Sequence, residues 1–181
     1  MHRLTSLLLL VLLSTICFAQ EAPWISYPTA NNQSYGVYHF RKSFDLDQVP
    51  DKWMIHVSAD NRYHLYVNGK RVCYGPAKGD LKTYKFDKID IASFLQPGTN
   101  VLAALVYNAG KDMPMSMFSV QTAFMLRAED RDQQFINTDS SWRVLKSQAY
   151  KPVSYYEMLF KERWFYGYYA CGPGDLSLIH I

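Results

Sequence analysis

The chain has 181 residues, a formal net charge of +3, 15% aromatic residues and 14 tyrosines. No run of Lys and Arg forms a stripe, which removes the electrostatic footprint expected of a nucleic-acid binder. The length suits one domain with a real core. The tyrosines suit strands, where aromatics pack well on a pleated surface, and they also suit sugar-binding surfaces.

Taken in chain order, Met1-His2-Arg3 is a short positive region, residues 7–13 are an unbroken apolar run, and Cys17-Phe18-Ala19 resembles a small-residue cleavage site. This three-part pattern predicts a secretory signal peptide over residues 1–19, cleaved after Ala19. The apolar run falls short of the roughly 20 residues a membrane-spanning helix needs. Bulky Ile16 argues against Cys17 as a bacterial lipidation cysteine. The expected destination is the periplasm or the extracellular space. The mature chain then keeps Cys73 and Cys171, with no dense cysteine framework. Pairing of these two is left open, and Cys73 is read as a small buried residue on a strand.

From residue 36 onward the patterns have period two. "GVYHFRKSF" places Tyr38, Phe40 and Phe44 on one face, and "KWMIHVS" does the same for Trp53, Ile55 and Val57. "RYHLYVNGKRVCYG" aligns Tyr63, Leu65 and Val67 and then turns at Asn68-Gly69, the strongest short hairpin signal. Residues 91–95 are the one stretch compatible with a helical turn. "QPGTN" supplies a tight connection in which Gly98 permits the turn and the Asn100 amide bonds backbone groups. "NVLAALVYN" is apolar on both faces, as a central strand would be. "MFSVQTAFMLRAE" is expected to turn Phe118, Val120, Thr122, Phe124 and Leu126 inward, with Ser119 and Gln121 outward. "FINTDSSWRVLKS" is expected to close the set, with Trp142 at one end of the core. Many short strands with regular turn signals predict an all-β sandwich or jelly roll over residues 20–150.

Catalytic chemistry is hard to find in this segment. A glycosidase needs two carboxyl groups flanking the scissile bond. Asp60, Asp80, Asp87, Asp90 and Asp112 are available, but no motif fixes a pair, and Asp87 and Asp90 sit where turns and caps use such residues. The internal histidines are His39, His56 and His64. His56 and His64 face each other only if "KWMIHVS" and "RYHLYVN" form a hairpin around Asp60, and two histidines fall short of the three or four ligands of a zinc site. There is no nucleophile elbow and no phosphate-cradling loop. No cofactor is implied.

The stretch "SADNRYHLYVNGKRVCYGPAKGDLKTYKFDKIDIASFLQPGTNVLAALVYNAG" (residues 58–110) carries a resemblance. Its Asn-Gly hairpin, its Gly-Pro-x-x-x-Asp loop and its Leu-x-x-Gly-x-Asn turn come in an order that resembles the galactose-binding-like jelly-roll domain preceding the catalytic domain of bacterial α-L-rhamnosidases. "VYHFRKSFDL" upstream and "NTDSSWRVLKSQAY" downstream agree. "LYVNGKRV" and "LQPGTN" also resemble the sugar-binding domain of β-galactosidase-like hydrolases. "RYHLYVNG", "GPAKGD" and "NTDSSW" tilt the resemblance to rhamnosidases.

The resemblance implies a galactose-binding-like β-sandwich and an accessory role in an exported glycoside hydrolase. The parent enzyme would act on rhamnosides of plant or microbial glycans, with its carboxylates in a separate (α/α)₆ barrel. A structural Ca²⁺ is compatible with such folds, though no residue pattern marks one. The same resemblance implies that this segment has no hydrolase activity of its own and packs on the catalytic domain. Asp60, Asn61 and Arg62, in a loop between strands, Asn108 and Lys111 after the apolar strand, and Tyr35 are the carbohydrate or domain-interface candidates, because strand-end loops commonly carry binding. The competing reading is a stand-alone carbohydrate-binding module, in which exposed Trp24, Tyr27 and Tyr35 stack on sugar faces.

Residues 151–175 read as the start of a connection toward the catalytic domain. The final "LSLIHI", residues 176–181, is also the in-frame translation of a transposon-end sequencing adapter, and is expected to be an artefact outside the fold.

Overall fold

The computed structural model describes residues 22–114 and 117–151. The expected signal peptide, Cys171, the connection after Lys151 and the "LSLIHI" tail lie outside the described residues. The strands are β1 (Gly36–Leu46), β2 (Met54–Asp60), β3 (Arg62–Val67), β4 (Lys70–Gly75), β5 (Asp87–Asp90), β6 (Gly98–Asn108), β7 (Ala123–Ala128) and β8 (Arg143–Lys146). They form a five-stranded sheet in the order β4-β3-β6-β1-β8 and a three-stranded sheet in the order β5-β2-β7, with antiparallel pairing throughout. The result is the expected all-β sandwich.

Alternation explains which side chains meet between the sheets. Successive residues of a strand point to opposite faces, so Tyr38 and Phe40 of β1, Leu65 of β3 and Leu102, Ala104 and Val106 of β6 face Ile55 and Val57 of β2 and Phe124 and Leu126 of β7, all buried in one core cluster. Phe124 lies at its centre, with ring centroids 5.4 Å from Phe40 and 5.5 Å from Trp142. Strand β6 pairs with both β3 and β1, which is why its sequence is apolar on both faces. Lys42 falls in phase with Tyr38, Phe40 and Phe44, yet its amine reaches the Asn137 carbonyl and Asp139 at 3.3 and 3.4 Å, so the charge is partnered.

The turn chemistry matches the sequence. Asn68 and Gly69 take φ of 50° and 76°, the positive values a type I′ hairpin needs. The Asn100 side-chain oxygen accepts from Gln96 N at 2.9 Å and from Asn68 Nδ2 at 2.8 Å, and its Nδ2 donates to Gln96 O and Gly98 O. A short 3₁₀ turn covers Ala92–Phe94, within the stretch expected to be helical.

Two strand expectations are corrected. Residues 117–122 do not extend β7. Val120 is 59% exposed, because the Val120 and Gln121 amides donate to the Asp60 carboxylate at 2.7 and 3.1 Å instead of entering a ladder. In "FINTDSSWRVLKS" only Arg143–Lys146 is strand, and Arg131–Ile136 is a 3₁₀ segment. Trp142 does close the core, donating its indole N–H to Asn137 O at 2.9 Å.

A polar clasp joins the two sheets at their β4 and β5 edges. Tyr63 donates to Asp87 Oδ2 at 2.5 Å, and Cys73 Sγ lies 3.7 Å from the same phenol oxygen. Burial leads in pushing the half-buried Cys73 thiol up to about 11. Gly75 leaves the room this clasp occupies, since a Cβ there would stand 1.9 Å from Asp87 Oδ2. Gly75→Ala is therefore expected to drive the carboxylate off Tyr63 and cost about 2 kcal/mol. In a cycle with Tyr63→Phe, urea unfolding should show non-additive losses; additive losses would refute the clasp.

His39 points to the outer face of the five-stranded sheet, opposite its core-facing neighbours Tyr38 and Phe40. It is buried, and neither ring nitrogen has a hydrogen-bond partner. Burial holds its pKa below the ordinary 6.5. The neutral ring is therefore favoured in the fold, and the stability it retains above pH 6.5 is lost as pH falls through the lower folded value. His39→Leu is expected to hold stability near pH 8 and to reduce the loss between about pH 8 and about pH 5, measured as urea midpoints. An unchanged pH slope would show that His39 does not titrate as stated.

Candidate functional site

One end of the sandwich gathers the residues the sequence pointed to. Asp60 ends β2, Asn61 follows it, Arg62 opens β3, Asn108 ends β6, and Tyr35 precedes β1. The register places Gly36 opposite Asn108, and Lys111 N donates to Gln33 O at 3.0 Å, so Tyr35 and Lys111 belong to the same loop cluster.

The burial differs from the expectation of exposed loop residues. Asp60 is 2% exposed, and Asn61 and Asn108 are buried as well. The reason is that β2 and β3 do not form a hairpin: they lie in different sheets, and the chain crosses between sheets at Asp60-Asn61. His56 and His64 accordingly do not face each other. His56 Nε2 meets Glu129 at 2.7 Å on the small sheet, while the His64 ring lies 6.1 Å from Tyr74 on the large one.

The crossing is held by a carboxylate that accepts five hydrogen bonds. Asp60 Oδ1 accepts from Asn61 Nδ2 at 3.0 Å and Asn108 Nδ2 at 3.3 Å, and Oδ2 accepts from the Tyr84 hydroxyl at 2.7 Å and from the Val120 and Gln121 amides. Buried carboxylates need such donors, because desolvation without them is costly. Asn61 also donates to Phe118 O at 2.7 Å, and Asn108 to Ser119 Oγ at 2.8 Å. Arg62 donates from Nη1 to Pro76 O. These side chains are engaged in building the end of the domain. Burial, followed by the Asp60 hydrogen bond, raises the Tyr84 phenol well above its ordinary pKa, so Tyr84 stays a neutral donor.

Tyr84 is the residue the sequence reading missed. It sits between β4 and β5 in a lysine-rich stretch without periodicity, so no pattern marked it. Its ring has Trp24 edge-on at 5.4 Å and Phe118 at 5.8 Å. On one side Tyr84 walls a cleft of about 290 Å³ with Trp24, Ser26, Asp60, Val120 and Gln121. On the other it walls a pocket of about 30 Å³ with Asn61, Arg62, Pro76 and Phe118. Of the three aromatics named for stacking, Trp24 is exposed at 43%, whereas Tyr27 packs on the core, its ring 5.7 Å from Tyr38, and Tyr35 is half-buried.

Asp80 and Asp90 have local roles. Asp80 accepts from the Lys82 and Thr83 amides, both at 2.8 Å, and Asp90 accepts from Trp53 N and Ala92 N, both at 3.0 Å. Those two backbone bonds hold Asp90 below the usual carboxylate range. No group of three or more His, Cys, Asp or Glu that could hold a metal ion occurs among the described residues. Among the same residues no helix is long and apolar enough to cross a membrane.

An aromatic wall beside hydrogen-bonding groups suits a ligand with both apolar and hydroxyl faces. No family model matches the chain, and no curated protein matches it. Solved structures do. A GH78 family rhamnosidase of Bacillus sp. GL1 is 28% identical with a TM-score of 0.66, over 72% of this chain and 14% of that one. The α-L-rhamnosidase of Dictyoglumus thermophilum is 19% identical with a TM-score of 0.54, over 72% of this chain and 18% of that one. That of Aspergillus terreus is 19% identical with a TM-score of 0.55, over 70% and 17%. The chain thus spans less than a fifth of each of these three proteins. The described β-sandwich thus has structural counterparts within these three rhamnosidases, the Bacillus one of family GH78.

Proposed function

We propose that this chain is a non-catalytic accessory domain of an exported glycoside hydrolase acting on terminal α-L-rhamnose, and that the cleft beside Trp24 and Tyr84 takes carbohydrate. The observation that carries the reading is the combined sequence and fold similarity to the Bacillus rhamnosidase. The chemistry at the sandwich end supports the non-catalytic part. The Asp60 carboxylate, which borders the cleft, already accepts five hydrogen bonds, and Asp87, Asp90 and Asp80 are occupied by Tyr63 or backbone amides. A glycosidase acid and base must instead meet the scissile bond from both sides.

The test has two arms. The purified chain, assayed on an aryl α-L-rhamnoside, is expected to release no aglycone; turnover would overturn the non-catalytic reading. Calorimetric titration with L-rhamnose and rhamnose-containing oligosaccharides is expected to show weak binding. Trp24→Ala should weaken it at least tenfold, the loss of about 1.4 kcal/mol that one stacking wall contributes. No binding by the unaltered chain would restrict the role to packing on a neighbouring domain.

A further inference from the structure

The loop between β4 and β5, residues 76–86, is held at several points. Asp80 and Thr83 exchange backbone hydrogen bonds, both at 3.1 Å, and the Asp80 carboxylate accepts from the Lys82 and Thr83 amides. A Cβ at Gly79 would stand 2.2 Å from Thr83 O, so the loop closes tightly on itself. It is also tied to the sandwich. Arg62 donates from Nη1 to Pro76 O, the Tyr84 hydroxyl donates to Asp60 at 2.7 Å, and Ser58 Oγ donates to Lys85 O at 2.7 Å.

This loop brings cations to one side of Tyr84. It carries three lysines, Lys78, Lys82 and Lys85, against the single aspartate Asp80. Lys78 and Lys85 line the pocket of about 30 Å³ together with Arg62 and Asn61, and among the described residues no carboxylate lines it. The acids near it in the chain are turned elsewhere. Asp60 borders the cleft on the other side of Tyr84 and accepts five hydrogen bonds, and Asp80 is turned onto the amides of its own loop. Lys88, by contrast, meets Glu129 at 2.6 Å. The pocket and the cleft share Tyr84 as a wall, so a glycan of more than one residue lying against Trp24 reaches both.

We infer that the pocket lined by Arg62, Lys78 and Lys85 is a subsite for an acidic group on the glycan, a uronate carboxylate or a sulfate ester, next to the sugar stacked on Trp24. The inference rests on the carbohydrate reading of the cleft and narrows its ligands to anionic saccharides. Opposite charge selects such a ligand over a neutral one of the same shape.

Calorimetric titration of the full chain tests this with a rhamnose-containing oligosaccharide bearing one uronic acid and with the same oligosaccharide after carboxyl reduction. The acid form is expected to bind about fivefold tighter, as a few partly exposed charges allow, and the preference should shrink in about 0.5 M NaCl. Lys78→Gln combined with Lys85→Gln, both exposed positions, should bring the acid form to the affinity of the reduced one at an unchanged urea midpoint. A sulfated rhamnose oligosaccharide in a third titration names the acid: tighter binding than the uronate assigns the subsite to sulfate esters, weaker binding to carboxylates. Equal binding of the acid and reduced forms, with Trp24→Ala still weakening both, would overturn the inference and leave the carbohydrate reading standing. Binding of neither form would remove both readings. A preference for the acid form that survives in the lysine variant would place the anion elsewhere and equally overturn the subsite.

Discussion

Replacing Asp60 with alanine is expected to remove about 4 kcal/mol of stability, the largest loss from any single polar side chain in the domain. Five donors converge on this carboxylate. Alanine strands them in a site where Asp60 itself is only 2% exposed, and each buried donor without a partner costs about 1–3 kcal/mol, partly recovered where water enters. Asp60→Asn is the sharper probe. All five partners are donors, so whichever way the amide lies, its NH₂ meets donors that need an acceptor. It should cost about half as much as alanine, and less than Tyr84→Phe and Asn108→Ala combined. Urea unfolding of these variants measures this. If Asp60→Asn proves neutral, the carboxylate is not the organising group of this end.

The expected result also bears on the cleft. Val120 and Gln121 are held by Asp60, and both line the cleft with Trp24. Losing the carboxylate frees that wall, so Asp60→Ala should weaken any ligand of the cleft both through the released Val120 and Gln121 and through the lost Asp60 lining. Trp24→Ala removes direct contact alone, because Trp24 contributes ring surface to the cleft and no bond to Asp60.

Strand periodicity and turn residues were legible because they are local. The alternation of Tyr38, Phe40 and Phe44, the Asn68-Gly69 turn and the Asn100 amide each depend on a few neighbours, and each appears where the pattern placed it. The site was less legible because its contacts are long-range. Asp60 looks like a loop residue between two strands, and only the assignment of β2 and β3 to different sheets buries it. The inward phase of Val120 failed for the same reason: residues 117–122 are diverted to a carboxylate sixty positions earlier, a demand no local pattern encodes. Tyr84 carries no periodic signal at all and becomes visible only when Asp60, Trp24 and Phe118 surround it.

Phe124→Ala is expected to cost about 4 kcal/mol and to be the most damaging truncation in the core. Phe124 has no exposed surface. Its ring, carried on the small sheet, meets Phe40 at 5.4 Å and Tyr63 at 6.4 Å from the large sheet, and Trp142 at 5.5 Å beside β8. Its backbone also pairs with Ile25 in both directions at 2.9 Å, which tethers the segment bearing Trp24. The cavity left by alanine is walled by rigid rings and strands that close little, so the loss should exceed that of Leu126→Ala, an aliphatic neighbour on the same strand. Because the Ile25 bonds are backbone bonds, Phe124→Ala should lower the unfolding midpoint while leaving the affinity of the folded cleft within about twofold of the unaltered chain. Stability and binding falling together would mean instead that the position of Trp24 depends on core packing rather than on that two-residue bridge.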